Sequence, residues 1–104
     1  MVQALDSTPE DAYAALQGGA LLIDVREGWE HEQASVPGAV LIPLGEIADR
    51  IDEIPEDRDV FVMCRMGGRS SRATAFLNEH GRTRARNVAG GLDAWRAAGL
   101  PVTE

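Results

Sequence analysis

The chain has 104 residues, of which 44% are hydrophobic and 26% charged. This composition is typical of one globular domain and argues against disordered and fibrous classes. The formal net charge of -7 argues against nucleic acid or an anionic membrane as a partner. We therefore expect a single domain over residues 1–104, with a core of about 6–102 and one site.

The ten basic residues are all arginine, so the chain has no lysine for a Schiff base or for a phosphate-binding P-loop. One cysteine and two distant histidines supply too few ligands for a structural zinc site. We predict no metal and no cofactor. The first ten residues have no basic residue and no long apolar run, and no segment reaches the ~20 apolar residues of a membrane span. A cytoplasmic location is the expectation.

Helix and strand signals alternate from the start of the chain. Thr8-Pro9-Glu10-Asp11 has the residues of a helix start, and Gly18-Gly19 predicts the end of that helix. The apolar run from Ala20 to Val25 predicts a buried strand. Asp24 is its one charged residue, and a buried carboxylate needs a partner such as Arg26 or an arginine near the cysteine.

A short polar segment and a second apolar run follow. Residues 27–33 predict a helical turn, in which we interpret Trp29 as a partly buried packing residue. We interpret His31 and His80 as surface residues. After the Pro37-Gly38 turn, residues 39–42 form an apolar run that predicts another strand.

Residues 44–54 predict an amphipathic helix that ends at Pro55. The apolar residues recur at helical spacing, and charged residues occupy the opposite side. The apolar positions are Leu44, Ile47, Ala48, Ile51 and Ile54.

The centre of the chain is a strand that leads into its one cysteine. Val60 to Met63 predict a buried strand, Cys64 follows directly, and helical spacing then runs from Arg69 to Glu79. Cys64 should therefore lie at the carboxyl end of a strand and face a helix amino terminus, where N–H groups and the helix dipole favour an anion. Such surroundings lower a thiol pKa from ~8.5 to roughly 3.5–7.5.

The residues after Cys64 favour a reactive thiol over an inert core cysteine. Gly67 and Gly68 allow a tight backbone turn and close approach of a bound group. Arg65, Arg69 and Arg72 make this segment cationic within an acidic chain. The contrast predicts a small anionic substrate.

The last third of the chain predicts one more strand and one more helix. An arginine-rich connector over residues 82–86 leads to a short strand at Asn87-Val88. Gly90-Gly91 opens a helix through Trp95, which Gly99 ends. Short buried strands alternating with helices predict an α/β domain, with a mostly parallel sheet and helices on both faces. Ligands of such sheets bind beyond the carboxyl ends of the strands, where Cys64 falls.

Four segments, in this order, resemble the signatures of the rhodanese-like family of single-domain sulfurtransferases, of the thiosulfate sulfurtransferase type. They are residues 22–27, residues 37–39 with 42–44, the loop 64–70 and residues 90–95. The likeness covers about residues 6–102 and implies a mostly parallel five-stranded sheet. Ser35 and Met66 depart from the family pattern, which often has histidine at the first position and a small or polar residue at the second.

Loop length separates the branches of this family. Four residues stand between Cys64 and Arg69, which gives the six-residue loop of sulfurtransferases, whereas the related phosphatases and arsenate reductases have a seven-residue loop. A smaller cradle suits a sulfane sulfur better than a tetrahedral phosphate.

The resemblance implies a persulfide mechanism on Cys64. The thiolate would take the outer sulfur of thiosulfate or a similar donor, and an acceptor would then remove it. N–H groups of residues 66–70, namely Met66, Gly67, Gly68, Arg69 and Ser70, would hold the terminal sulfur. Arg65 would attract the donor, and Arg69 would brace the loop by pairing with Asp24 or Arg26.

The resemblance also implies the kinds of partner. The donor is a small anion, and the acceptor is cyanide or a thiol, including thioredoxin or another protein thiol. The acidic composition separately predicts a monomer. A persulfide carrier that delivers sulfur to a specific protein requires the same chemistry, so enzyme and carrier both remain open. A phosphatase or arsenate reductase is the third class.

Overall fold

A computed structural model describes residues 5–104, which form five parallel strands and four α-helices. The strands are β1 (Asp6–Ser7), β2 (Leu21–Asp24), β3 (Val40–Leu41), β4 (Val60–Met63) and β5 (Ala85–Val88). The helices are α1 (Pro9–Gln17), α2 (Gly28–Gln33), α3 (Gly68–Glu79) and α4 (Gly91–Ala97). The strand order is β1-β5-β4-β2-β3. No helix of residues 5–104 is long and apolar enough to cross a membrane.

Alternating side chains on the central strands build two cores, one on each face of the sheet. Ile23 and Val62 point to the face covered by α3, whereas Leu22 and Phe61 point to the face covered by α1 and α4. The predicted parallel sheet with helices on both faces is confirmed.

Helix α1 begins where its sequence predicts. The Thr8 hydroxyl accepts a hydrogen bond of 3.1 Å from the Asp11 N–H, Pro9 is the first helical residue, and the helix ends at Gly18. Strand β1, which immediately precedes it, pairs with β5 at the edge of the sheet. Its two residues are too short a run to give an apolar signal, so the sequence pattern locates only the other four strands.

The predicted amphipathic helix over residues 44–54 is wrong. The chain forms two short 3₁₀ helices, Leu44–Glu46 and Ile51–Glu53, joined by turns. Residues three apart lie above one another on a 3₁₀ helix, so the same spacing buries Ile47 and Ile54 without a continuous α-helix. Leu44 and Ile51 also pack against this core, whereas Ala48 is exposed, so four of the five predicted apolar positions are confirmed and the type of helix is not.

Parallel pairing brings the carboxyl ends of the strands to one edge of the sheet. Ile23 pairs with Val62, and Asp24 pairs with Met63. The segments that follow β2 and β4 therefore start side by side, which places residues after Asp24 next to Cys64.

Candidate active site

Cys64 follows β4 directly and is buried at the base of the turn that leads into α3. The turn depends on Gly67, whose φ of 106° lies in the left-handed region that favours glycine. A side chain there would also come within 3.3 Å of the Gly90 backbone nitrogen. The loop between strand and helix is thus tight, as its glycines predict.

Three donors surround the sulfur of Cys64. Its Sγ lies 3.1 Å from the Gly67 nitrogen, 3.4 Å from the Ser70 nitrogen and 3.3 Å from the Ser70 hydroxyl oxygen. Burial by itself raises the pKa of Cys64, but the hydrogen bonds from Ser70 and from the loop N–H groups bring that pKa below its ordinary value. The site therefore favours a thiolate, the form that acts as a nucleophile.

A surface cleft opens over this sulfur. Arg65 and Met66 form its outer rim and are 67% and 70% exposed. The cleft is lined by Glu30, Cys64, Arg65, Met66, Gly68 and Arg69. Except for Glu30, these residues belong to the loop and helix start that the sequence singles out.

Arg69 pairs with Glu30, so the predicted pairing with Asp24 or Arg26 is wrong. Its Nη1 and Nη2 donate to the two carboxylate oxygens of Glu30, at 2.6 and 2.9 Å. These hydrogen bonds hold the pKa of Glu30 at about 2. Because Glu30 lies on α2, the pair ties that helix to the cysteine loop.

Asp24 and Arg26 form a separate buried pair beside the site. The Arg26 side chain donates to both oxygens of Asp24 through Nε and, at 2.8 Å, to Oδ2 through Nη2. Burial raises the pKa of Asp24, yet the hydrogen bonds from Arg26 and His31 leave it lowered. The pair lies outside the lining of the Cys64 cleft.

His31 and Trp29 are placed differently from the sequence interpretation. His31 is partly buried, and its Nδ1 donates to Asp24 Oδ2 at 2.9 Å, because an ionised carboxylate only accepts. Trp29 is 63% exposed and lines a second cleft, which contains Arg26 and Arg65. His80 is exposed, as interpreted. The cleft that Trp29 lines adjoins the Cys64 cleft, since Glu30 and Arg65 line both.

The amino terminus of helix α4 binds the backbone of the cysteine loop. The Gly90-Gly91 pair predicted the start of this helix but not its contact with the loop. The Leu92 N–H donates to the Cys64 carbonyl at 2.8 Å, and the Asp93 N–H donates to the Arg65 carbonyl at 3.0 Å. Gly91 is required at this contact, since a Cβ there would lie 2.4 Å from the Cys64 carbonyl oxygen.

Sequence reasoning missed two side chains near the sulfur. Glu30 has no motif of its own, although an acid on a helical turn after a buried strand is a candidate partner for a loop arginine. Asn87 accepts a hydrogen bond of 2.5 Å from the Ser70 hydroxyl, and its place at the end of a predicted strand was the only signal.

Comparison with known proteins gives consistent results. The family model for the rhodanese-like domain matches residues 8–98. A sulfurtransferase of Allochromatium vinosum is 40% identical over 98% of this chain and 95% of its own length. The thiosulfate sulfurtransferase GlpE of Pseudomonas syringae is 36% identical over 85% of this chain and 83% of its own. The crystal structure of a rhodanese-related protein from Thermoplasma volcanium superposes with a TM-score of 0.87, at 28% identity over 94% of this chain and 96% of that one.

Proposed function

Because the chain belongs to the rhodanese-like family, whose members include sulfurtransferases, we propose that it transfers sulfur through a persulfide on Cys64. The observation that carries this proposal is the ring of three donors around Cys64 Sγ at the base of an open cleft. Preorganised donors of this kind stabilise a negative sulfur without reorganisation during the reaction.

The first step is attack by the Cys64 thiolate on the outer sulfur of thiosulfate or a similar donor. A new S–S bond forms to Cys64, the donor's own S–S bond breaks, and its electron pair leaves with sulfite. The terminal sulfur of the persulfide carries the negative charge, and N–H groups of residues 66–70 would receive it. The lowered pKa of Cys64 favours the thiolate, so the proposed step needs no separate general base.

The second step returns Cys64 to the thiolate. A thiolate or cyanide attacks the terminal sulfur, the S–S bond to Cys64 breaks, and its electron pair returns to Sγ. The exposed position of Arg65 suits attraction of an anionic donor, whereas Arg69 directs two nitrogens at Glu30 and so suits a bracing role.

A carrier that delivers the same persulfide to a protein is the second candidate. The exposed Trp29 and Met66 beside the cleft support it, since exposed aromatic and methionine side chains are enriched where proteins bind one another. A phosphatase is less well supported, because the guanidinium fork that would hold phosphate oxygens is directed at Glu30 instead.

The test is thiocyanate formation from thiosulfate and cyanide by the wild type and by Cys64→Ser, with a phosphate monoester assayed in parallel. We expect thiocyanate from the wild type alone and no hydrolysis of the ester. If the wild type is inactive with cyanide, intact mass after thiosulfate treatment separates the alternatives. One added sulfur atom on the wild type would indicate a carrier, and an unchanged mass would contradict the thiosulfate proposal.

A further inference from the structure

The Ser70 hydroxyl lies between two acceptors, the sulfur of Cys64 and the side-chain oxygen of Asn87. Its hydroxyl oxygen is 3.3 Å from Cys64 Sγ and 2.5 Å from Oδ1 of Asn87. All three residues are buried, so no bulk water replaces a missing hydrogen bond. A serine hydroxyl carries one proton and therefore donates to only one of the two acceptors at a time.

The orientation of the Asn87 amide is set by Asp6. Asn87 Nδ2 donates to Asp6 Oδ1 at 3.0 Å, and a carboxylate can only accept. The amide oxygen must then face Ser70. The Asn87 backbone N–H also donates to the Leu5 carbonyl, at 2.8 Å, and Asn87 pairs with Asp6 where β5 meets β1.

The protonated thiol satisfies every member of this arrangement. The thiol S–H can donate to the Ser70 oxygen, and the Ser70 hydroxyl can donate to Asn87 Oδ1. The thiolate leaves Asn87 Oδ1 without a donor, because the negative sulfur attracts the Ser70 proton to itself. Asn87 Oδ1 would then face the lone pairs of the Ser70 oxygen at 2.5 Å, without a proton between them.

The persulfide removes this competition. Its negative charge lies on the terminal sulfur, which points away along the loop, so Sγ becomes a weak acceptor. The Ser70 proton can return to Asn87 while the loop N–H groups serve the terminal sulfur. The Ser70 hydroxyl therefore favours different partners in the two anionic states of Cys64.

We propose that Asn87 is a positioning residue that competes with Cys64 for the Ser70 proton and so disfavours the bare thiolate relative to the persulfide. This inference deepens the proposed function, and its statement about the persulfide rests on that function. A thiolate with one donor fewer is more basic and so a stronger nucleophile. Asn87 would thereby promote the first step and favour its product over the thiolate.

Other charges near Cys64 must remain constant in the test. Arg69 interacts electrostatically with both Cys64 and Asp24. The charged and titratable groups on the elements around the sulfur are Arg65 and Arg69 of the loop, Glu30 of α2, Asp93 of α4, the Asp24, Arg26 and His31 group, and Asp6 of β1. Replacing Asn87 by a neutral residue alters the charge of none of them.

The first experiment measures the rate of Cys64 alkylation by iodoacetamide against pH, using the full chain. The chain has one cysteine, so the signal comes from a single group. In Asn87→Leu the Ser70 proton is free for the thiolate, and the midpoint should fall by about one pH unit. Asn87→Ala serves as a second variant, and circular dichroism at each pH verifies the fold.

Ser70 supplies the decisive control. In Ser70→Ala no proton is left to compete for, so adding Asn87→Leu should shift the midpoint no further. Thr74→Val removes another buried hydroxyl of α3, which donates to the Ser70 carbonyl, and should leave the midpoint unchanged. An unchanged or raised midpoint in both Asn87 variants, or a shift that persists without the Ser70 hydroxyl, would overturn the competition.

The second experiment measures the persulfide fraction by intact mass at fixed thiosulfate and sulfite concentrations. Asn87→Leu should hold several-fold less persulfide relative to thiolate than the wild type. An equal fraction would overturn the persulfide half of the inference. Absence of any persulfide in the wild type, with the alkylation shift intact, would instead contradict the proposed function and leave the competition supported.

Discussion

At the scale of single residues, burial and hydrogen bonding act on Cys64 in opposite directions. A buried thiol in apolar surroundings stays protonated. Here the Ser70 hydroxyl and the N–H groups of Gly67 and Ser70 reverse that effect. Glu30, the carboxylate that lines the Cys64 cleft, is paired with Arg69 and so opposes the thiolate less than a free acid would.

We expect Glu30→Gln to destabilise the protein by about 1 kcal/mol at neutral pH, because it removes the charge from a hydrogen-bonded pair. Sulfur transfer should also fall, since α2 would no longer hold Arg69 against the loop. Urea unfolding and thiocyanate formation measure the two effects. Glu32→Gln, an exposed acid on the same helix, is the matched control and should change neither.

The destabilisation caused by Glu30→Gln should depend on pH. Folding lowers the pKa of Glu30 from its ordinary 4.5 to about 2, so its contribution is present above pH 4.5 and is lost as the pH falls toward 2. The difference in unfolding free energy between the wild type and Glu30→Gln should shrink over that interval. A difference that stays constant down to pH 2 would contradict the assignment of this ion pair.

At the scale of elements, the cysteine loop is held between two helices. Helix α2 contacts it through the Glu30 and Arg69 pair, and the amino terminus of α4 donates to the carbonyls of Cys64 and Arg65. The close approach of α4 is possible because Gly91 has no side chain. The position of the sulfur thus depends on helix packing as well as on the loop itself.

Gly91→Ala should therefore destabilise the protein by more than the strain of placing alanine at a left-handed φ. Gly91 and Gly99 both have left-handed φ angles, 59° and 75°, but a Cβ at Gly99 meets nothing within 4 Å. We expect Gly99→Ala to lower the free energy of unfolding by about 1 kcal/mol. Gly91→Ala should lower it by more than about 3 kcal/mol and should also abolish most of the sulfur-transfer activity. Equal losses in urea unfolding would mean that the Gly91 contact is unimportant.

At the scale of the whole molecule, a cationic rim stands out against an acidic surface. The chain has a net charge of -7, which repels small anions, whereas the exposed Arg65 lies beside the cleft, with its Nε 3.7 Å from a carboxylate oxygen of Asp93. Local fields of this kind raise the rate at which an oppositely charged ligand arrives. Salt weakens them, because the Debye length is only about 10 Å at 0.1 M ionic strength.

Arg65→Gln should lower kcat/KM for thiosulfate roughly three- to ten-fold at low ionic strength, and the deficit should shrink as salt is added. Arg84→Gln makes the same change in net charge at an exposed arginine just before β5, at the opposite edge of the sheet. Steady-state rates across a salt series compare the two. Equal effects would indicate that net charge matters, and not the position of Arg65.

The local signals in the sequence determined much of the fold and the centre of the site. The N-cap at Thr8, the apolar run before Cys64 and the glycines at 67 and 68 each act within a few residues. They predicted the ends of α1, the buried strand β4 and the tight turn into α3. The alternation of strands and helices predicted the parallel sheet, and the four family signatures added its five strands and the sulfur-transfer class.

Only the tertiary structure decided which side chains meet at the sulfur. Glu30 and Arg69 are 39 residues apart, and Ser70 and Asn87 are 17 apart. No local pattern marks such pairs, because they form only when parallel strands bring their carboxyl ends together and helices dock against that edge. The choice of 3₁₀ turns over an α-helix in residues 44–54 has a similar origin, since the apolar spacing fits both conformations and packing against the core selects between them.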